Sequence, residues 1–306
     1  MIRRLLDVVV VLLLGLCLPA IAEDMPECRP LQPGKVEYEG PSRFDRGVLW
    51  EIRSLQGGTS HLFGTIHVAD DEIVNLPAPV NARFEASRTF VMEVVPEPEE
   101  IMEMAAMMYV SDGETLDALI SAPLFQRVVE ILAAYNLPEV AIASMRPWSA
   151  YLTMSYPADM RPVLDLRLLE QAQASGMETH GLETLLEQGS IFSDMPTADQ
   201  VRLLADTACH HDLLREDMEA MKRLYLKRDL KGMFVYGQRQ AFADNSLYEQ
   251  LSERLLTGRN GVMTERMQPY LEDGGAFIAV GAMHLPGKDG ILNRLALQGY
   301  AVERVY

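Results

Sequence analysis

The apolar positions change their period twice along the chain. Val48–Arg53 and His61–Ile66 are short apolar runs on either side of a Gly57-Gly58-Thr59 turn, which predicts a β-hairpin. Leu76, Val80 and Phe84 recur four apart, the spacing of a short helix, and Thr89–Val95 is a compact β-rich run that reads as a buried strand. From Pro98 to Tyr270 the period is helical almost throughout. Capping-box pairs at Ser111/Glu114, Thr197/Gln200 and Ser246/Glu249 predict helix starts, and Gly176 and Gly258 predict helix stops. One strand, Met177–His180, interrupts this stretch. Strand character returns at Ala276–Val280, followed by a helix at Lys288–Gln298 and a strand at Tyr300–Val305. Residues 23–45, with Pro26, Pro30, Pro33, Gly34, Gly40 and Pro41, read as an extended arm without helix.

Strand-rich ends around a helical middle predict an α/β (α+β) chain. A strand needs neighbours, so the two ends are expected to join in one sheet, with about 97–270 as a helical insertion that covers or caps it. The division predicted is a leader at 1–22, an arm at 23–45 and one domain at 46–306.

The leader follows from Arg3 and Arg4, the fifteen-residue apolar run Val8–Ala22 and the closing Ala20-Ile21-Ala22. A membrane-spanning helix needs roughly twenty residues, so a cleaved export signal is preferred to an anchor. Export implies a periplasmic or secreted chain, soluble once the signal is cut, with no membrane partner. The whole chain carries 27 basic and 44 acidic residues, net −17, and the mature chain −18. That balance excludes the electrostatic footprint of a nucleic-acid binder. Two cysteines remain after cleavage, Cys28 and Cys209; an oxidising compartment favours pairing them over two free thiols.

Candidate chemistry begins with an internal echo. Gly64-Thr65-Ile66-His67 and Gly281-Ala282-Met283-His284 each follow an apolar strand with G-x-x-H. Gly64 and Gly281 would allow a sharp turn or a close approach, and neighbouring strands would bring His67 and His284 together. Glu93 lies inside the strand-like Phe90–Val95. A carboxylate there must be paired or metal-bound if buried, or else faces solvent at the strand end. Two imidazoles and a carboxylate suit Zn, Mn, Fe or Co; a metal-free acid–base site is the other option. Arg259-Asn260 reads either as a substrate-gripping Arg or as a helix start capped by Asn260. His210 and His211, adjacent on a helix, point about 100° apart and read as surface residues; His61 and His180 read as structural. Met102, Met104, Met107 and Met108 fit core better than an adaptable groove. No P-loop, dinucleotide fingerprint, G-x-S-x-G or H-E-x-x-H occurs.

With these residues in hand, the chain resembles the TraB/PrgY/GumN family, in particular its secreted bacterial GumN-type members. The likeness runs from about Asp45 to Tyr306. It rests on Asp45-Arg46-Gly47 with Leu49-Trp50, the two G-x-x-H segments, Glu93, Gly181-Leu182-Glu183-Thr184 with Gln188, Arg259-Asn260, and Gly287 and Gly299-Tyr300. That family is distantly similar to the TIKI metallopeptidases, which trim Wnt ligands, and to erythromycin esterases and haem-binding ChaN-like proteins. The resemblance implies a mixed sheet and a site where the two G-x-x-H turns meet. His67, His284 and Glu93 would be the metal residues and, with Arg259, the catalytic ones; Arg259, Asn260 and Glu183 are expected on the substrate side. It also implies a divalent ion (Mn, Co or Zn) and a peptide or protein substrate. The competing expectations are a binding protein that sequesters a peptide or haem, and a metal-free His-based esterase.

Overall fold

Residues 49–53 and 59–65 alternate between buried and outward positions at the hairpin's outer end, and 62–65 become wholly buried. The change of pattern marks where the sheet passes from a half-solvated antiparallel part to a covered parallel part. The computed structural model describes residues 28–33, 36–111, 113–158, 161–238, 240–242 and 246–306; the proposed signal segment 1–22 lies outside the described residues.

The strands are β1 (Leu31–Pro33), β2 (Leu49–Arg53), β3 (Thr59–Thr65), β4 (Thr89–Val94), β5 (Glu178–Glu183), β6 (Gln240–Phe242), β7 (Ala276–Gly281) and β8 (Ala301–Arg304). Six of them form one mixed sheet in the order β5-β4-β7-β3-β2-β8. β5, β4, β7 and β3 run parallel, whereas β2 pairs antiparallel with both β3 and β8. Both chain ends therefore build one sheet, as the pattern predicted. β1 and β6 make a separate two-stranded ribbon.

The parallel half needs cover on both faces, and its strands are nearly continuous apolar runs. Helices Ala78–Glu85, Leu164–Ala174, Arg259–Arg266 and Ile291–Leu297 supply buried residues to the same core. The helical middle has cores of its own. One gathers Leu124, Val128, Leu132 and Leu204; another joins Trp148, Phe192, Leu203, Leu247 and Leu251.

Several local expectations are corrected. No helix starts at Ser111; the next one begins at Leu116 behind Thr115. Thr197 is the first residue of its helix rather than the cap, Pro196 holds the cap position, and Gln200 Nε2 donates to the Met195 carbonyl (2.8 Å). The two-way capping box lies instead at Thr184/Glu187. Gly176 has the positive φ of a helix stop (72°). Gly258 does not: its φ is −62°, and a π-helical turn, Glu253–Gly258, carries the chain straight into Arg259–Arg266. Asn260 is thus inside a helix and is no cap. The helix expected from Lys288 starts at Ile291, because a 3₁₀ turn and loop occupy 282–290. His210 and His211 are half-buried, and His210 Nε2–H donates to the Arg29 carbonyl (2.8 Å). Met104, Met107 and Met108 pack partly on the third core, while Met102 is exposed.

Among the described residues no helix is long and apolar enough to cross a membrane. Cys28 and Cys209 form a disulfide across 181 positions, with Cα atoms 5.7 Å apart. Next to it Arg29 forms an ion pair with the buried Asp206. The bridge removes a very long loop from the unfolded chain, so its reduction is expected to cost about 2–4 kcal/mol. Thermal unfolding with and without reductant checks this; an unchanged midpoint contradicts it.

Candidate functional site

Three adjacent parallel strands, β4, β7 and β3, end on the same side of the sheet, the place where α/β sheets collect ligands. His67 lies two residues beyond β3. His284 closes a 3₁₀ turn, Ala282–His284, directly after β7. Glu93 is the penultimate residue of β4. All three line one cavity of about 440 Å³.

The two glycines of the echo serve close approach. Gly64 sits within β3, in register with Val280; a Cβ there would lie 2.7 Å from Leu285 Cδ1 and 3.1 Å from Ala282 Cα. Gly281 has Glu93 Oε1 and the His284 ring in the space a Cβ would claim, at 3.3 and 3.4 Å. A side chain at either position would push the 282–285 turn away from the sheet.

Glu93 is buried and held from several directions. Its Oε1 accepts the Gly281 N–H (2.7 Å), and its Oε2 accepts Arg259 Nη2 (2.5 Å) and Gln188 Nε2 (3.3 Å). Arg259 also donates to Glu183, from Nε (3.0 Å to Oε2) and Nη2 (2.7 Å). Arg259 thus joins two carboxylates, Glu93 13% and Glu183 5% exposed, through a guanidinium itself 13% exposed. Burial opposes a charged Glu93, but His284, Arg259, the Gly281 amide and His67 hold its pKa down at about 2.

Each histidine is oriented by an acceptor on Nδ1. His284 Nδ1–H donates to Asn260 Oδ1 (2.7 Å), while Asn260 Nδ2 donates to the Asp289 carbonyl (3.0 Å). That leaves His284 Nε2 as the lone-pair nitrogen, 3.7 Å from Glu93 Oε1 and 3.4 Å from Arg259 Nη1. Burial lowers the His284 pKa, with Glu93 opposing and Arg259 and His67 assisting, to about 4, so the ring is neutral. His67 Nδ1 meets Asp165 Oδ2 at 3.0 Å, and Asp165 Oδ1 accepts Thr65 Oγ1 (2.6 Å). Burial alone would lower the His67 pKa; the Asp165 charge and hydrogen bond, with Glu93 behind, raise it to about 9.

His67, Glu93, His284, Arg259, Asn260 and Glu183 therefore belong to one constellation. Glu183 and Asn260 sit behind it: the first is bonded to Arg259, the second to His284. Cys28 and Cys209 are tied to the arm, and His61 and His180 line no part of this cavity. Sequence reasoning missed Asp165 and Tyr156. Asp165 had a usable signal. It lies three, four and seven residues before Leu168, Leu169 and Ala172, on the apolar stripe of its helix, so its carboxylate had to be buried. Tyr156 stacks edge-on to His67 (centroids 6.4 Å apart) and lines the cavity; nothing in its local sequence marks it.

Among the described residues no group of three or more His, Cys, Asp or Glu stands in metal-holding geometry. The donors nevertheless fit a divalent ion in chemistry. Two imidazoles have their Nδ1 atoms held by acceptors, the usual support of histidine ligands. His284 Nε2 and Glu93 Oε1, 3.7 Å apart, would be the atoms offered to such an ion, with His67 Nε2 from the facing strand end.

The model of the TraB/PrgY/gumN family matches residues 48–304. The chain is similar to the metalloprotease TIKI2 of Danio rerio, 24% identical over 313 residues, covering 83% of this chain and 60% of that protein. It is also similar to the metalloprotease TIKI2 of Xenopus tropicalis, 25% identical over 331 residues, covering 90% of this chain and 62% of that protein. The chain thus spans about three-fifths of the length of these relatives.

Proposed function

Because the chain belongs to the TraB/PrgY/gumN family, we propose that it is an exported, metal-dependent hydrolase of peptide bonds, with His67, Glu93 and His284 as the groups that hold the ion. One observation supports the reading above the rest: His67 and His284, from two different strand ends, each present Nε2 to the same cavity because Nδ1 is engaged by Asp165 or Asn260. The similarity to metalloproteases points the same way.

A divalent ion bound there supplies polarisation of the scissile carbonyl and a water acidified towards neutrality. The protein's own contribution is orientation and charge. Asp165 and Asn260 keep both rings from rotating. Arg259 keeps Glu93 ionised and fixes its Oε2, leaving Oε1 directed towards His284. His67 carries a second proton, on Nε2, in the metal-free state, so ion uptake releases that proton and strengthens as pH rises. Arg259 Nη1, beside His284 Nε2 at the cavity wall, is the cation available to a substrate carboxylate or a developing oxyanion.

The test is cleavage of a mixed peptide library, read by mass spectrometry, with metal analysis and a Soret-region spectrum of the same preparation. Cleavage is expected to stop on chelation and to return with Mn, Co or Zn. Chelator-resistant cleavage would make this a metal-free esterase-like site. Uncleaved but bound peptide, or a haem band, would make it a binding protein.

A further inference from the structure

Away from the ionic cluster the cavity carries an apolar wall of Met221, Met233, Leu251, Leu255, Leu256 and Met283, edged by Gln238, Tyr248, Glu249 and Ser252. We propose that this apolar wall is a specificity subsite for a bulky apolar side chain without β-branching (Leu, Met or Phe) of a peptide substrate. It rests on the hydrolase reading above and extends it.

Three observations carry this. First, the apolar wall and the chemical groups ride on the same elements. Leu255 and Leu256 lie on the π-helical turn Glu253–Gly258 that leads directly into Arg259, and the Leu255 carbonyl accepts Arg259 Nη1 (3.3 Å). Met283 lies in the 3₁₀ turn between Gly281 and His284. A side chain resting on Leu255 and Met283 therefore sits one residue's reach from the His–Glu cluster, where the bond next to it would be cut. A π-turn inserted in a helix is itself frequent at functional sites. Second, the proportions suit a side chain. The whole cavity, ionic cluster included, is about 440 Å³, near the small end of ligand cavities, and an apolar lining with a few convergent polar groups is their usual composition. Third, three of the six apolar wall residues named above are methionine. Their flexible thioethers fit several apolar shapes rather than one, which predicts a preference by size and polarity, not by identity.

The wall also offers a position that can be changed without touching the ionic groups. Gly237 ends the helix Leu230–Gly237 in ordinary helical geometry. A Cβ there would meet Met283 Cε at 2.7 Å. That is the far end of a flexible side chain, so Gly237→Ala keeps its helix and drives Met283 into the chamber.

The probes are acetylated pentapeptide amides Gly-Gly-X-Gly-Gly with X as Leu, Phe, Met, Ala or Asp. Binding to the metal-free full chain is read by the methionine methyl signals in NMR and by calorimetry; cleavage is read with metal restored. Leu, Met and Phe peptides are expected to bind at least tenfold tighter than Ala or Asp and to shift the Met221, Met233 and Met283 methyls. In Gly237→Ala the Leu-over-Ala preference falls at least fivefold; in Met221→Ala it moves towards larger side chains, Trp included. Equal binding of all five peptides overturns the subsite, even if they are cleaved, and leaves the hydrolase reading standing. Selective binding without cleavage supports the subsite and overturns the hydrolase. Tighter binding of octanoate than of the Leu peptide overturns the assignment to a side chain in favour of an acyl chain.

Discussion

Arg259→Met is expected to destabilise the protein by about 3–5 kcal/mol, the cost of breaking a buried ion network by removing one partner. Arg259 is the cation between Glu93 and Glu183, all three mostly buried. Without it two carboxylates face each other in the interior with only Gln188 and the Gly281 amide as donors. Burial of Glu93 is then opposed by His284, the Gly281 amide and His67 without Arg259, so its pKa rises from about 2. A carboxyl held below its unfolded value adds stability that is complete above that value and lost as pH falls towards the folded pKa, so the deficit is expected to be larger near pH 7 than near pH 3. Chemical denaturation of wild type and variant at both pH values measures this. The triple variant Arg259→Met, Glu93→Gln, Glu183→Gln should recover most of the loss, because it removes the charges together. A single variant within about 0.5 kcal/mol of wild type would mean that solvent reaches the network and the account is wrong.

The second large effect concerns His67 and the carboxylate behind it. His67→Ala is expected to bring metal-dependent hydrolysis down to background while the protein remains folded, since the ring is half-exposed at the cavity and carries no core packing. Asp165→Asn should cost about 10–100-fold, the usual effect of altering the group that orients a histidine ligand. Asp165 accepts from Thr65 Oγ1 and from His67 Nδ1 with different oxygens. An amide offers one acceptor where two are needed, and its NH₂ meets a donor. The same substitution removes the main charge that raises the His67 pKa, so the imidazole titration, at about 9 in wild type, should move back towards the ordinary value. Steady-state rates and a histidine NMR titration read the two effects separately. Unaltered kinetics in Asp165→Asn would remove it from the site, and full activity in a folded His67→Ala would remove the metal-site assignment.

The candidate site was legible in part because its residues interrupt strong patterns. Glu93 stands in an otherwise apolar strand, and two G-x-x-H segments end runs that are β-like in composition. Such violations of local rules are what a site leaves in a sequence. Asp165 follows the same logic on a helix, but one of two acids in an eleven-residue amphipathic helix is a fainter mark than a repeated motif. Tyr156 left none, because a tyrosine beside a helix end breaks no rule. The errors at Ser111 and Gly258 have a shared cause. A capping pair or a helix-stop glycine is a local preference worth about 1 kcal/mol, small enough for tertiary packing to override; at Gly258 the 253–258 turn packs against the turn at 282–284.

Taken alone, the order of apolar periods determined the architecture. Strands at both ends with helices between leave no stable arrangement except a shared sheet, since neither end has enough strands to bury its own face. The same sequence carried the identity of the groups able to do chemistry. Tertiary structure decided which of them meet, and in what state. Parallel pairing of β3 and β4 on either side of β7 is a long-range choice, and it sets His67, Glu93 and His284 around one cavity. Their charges were decided later still. The buried imidazole beside Asn260 is neutral and the half-exposed one beside Asp165 is cationic, because protonation depends on desolvation and neighbouring charge, and those exist only once distant segments have packed.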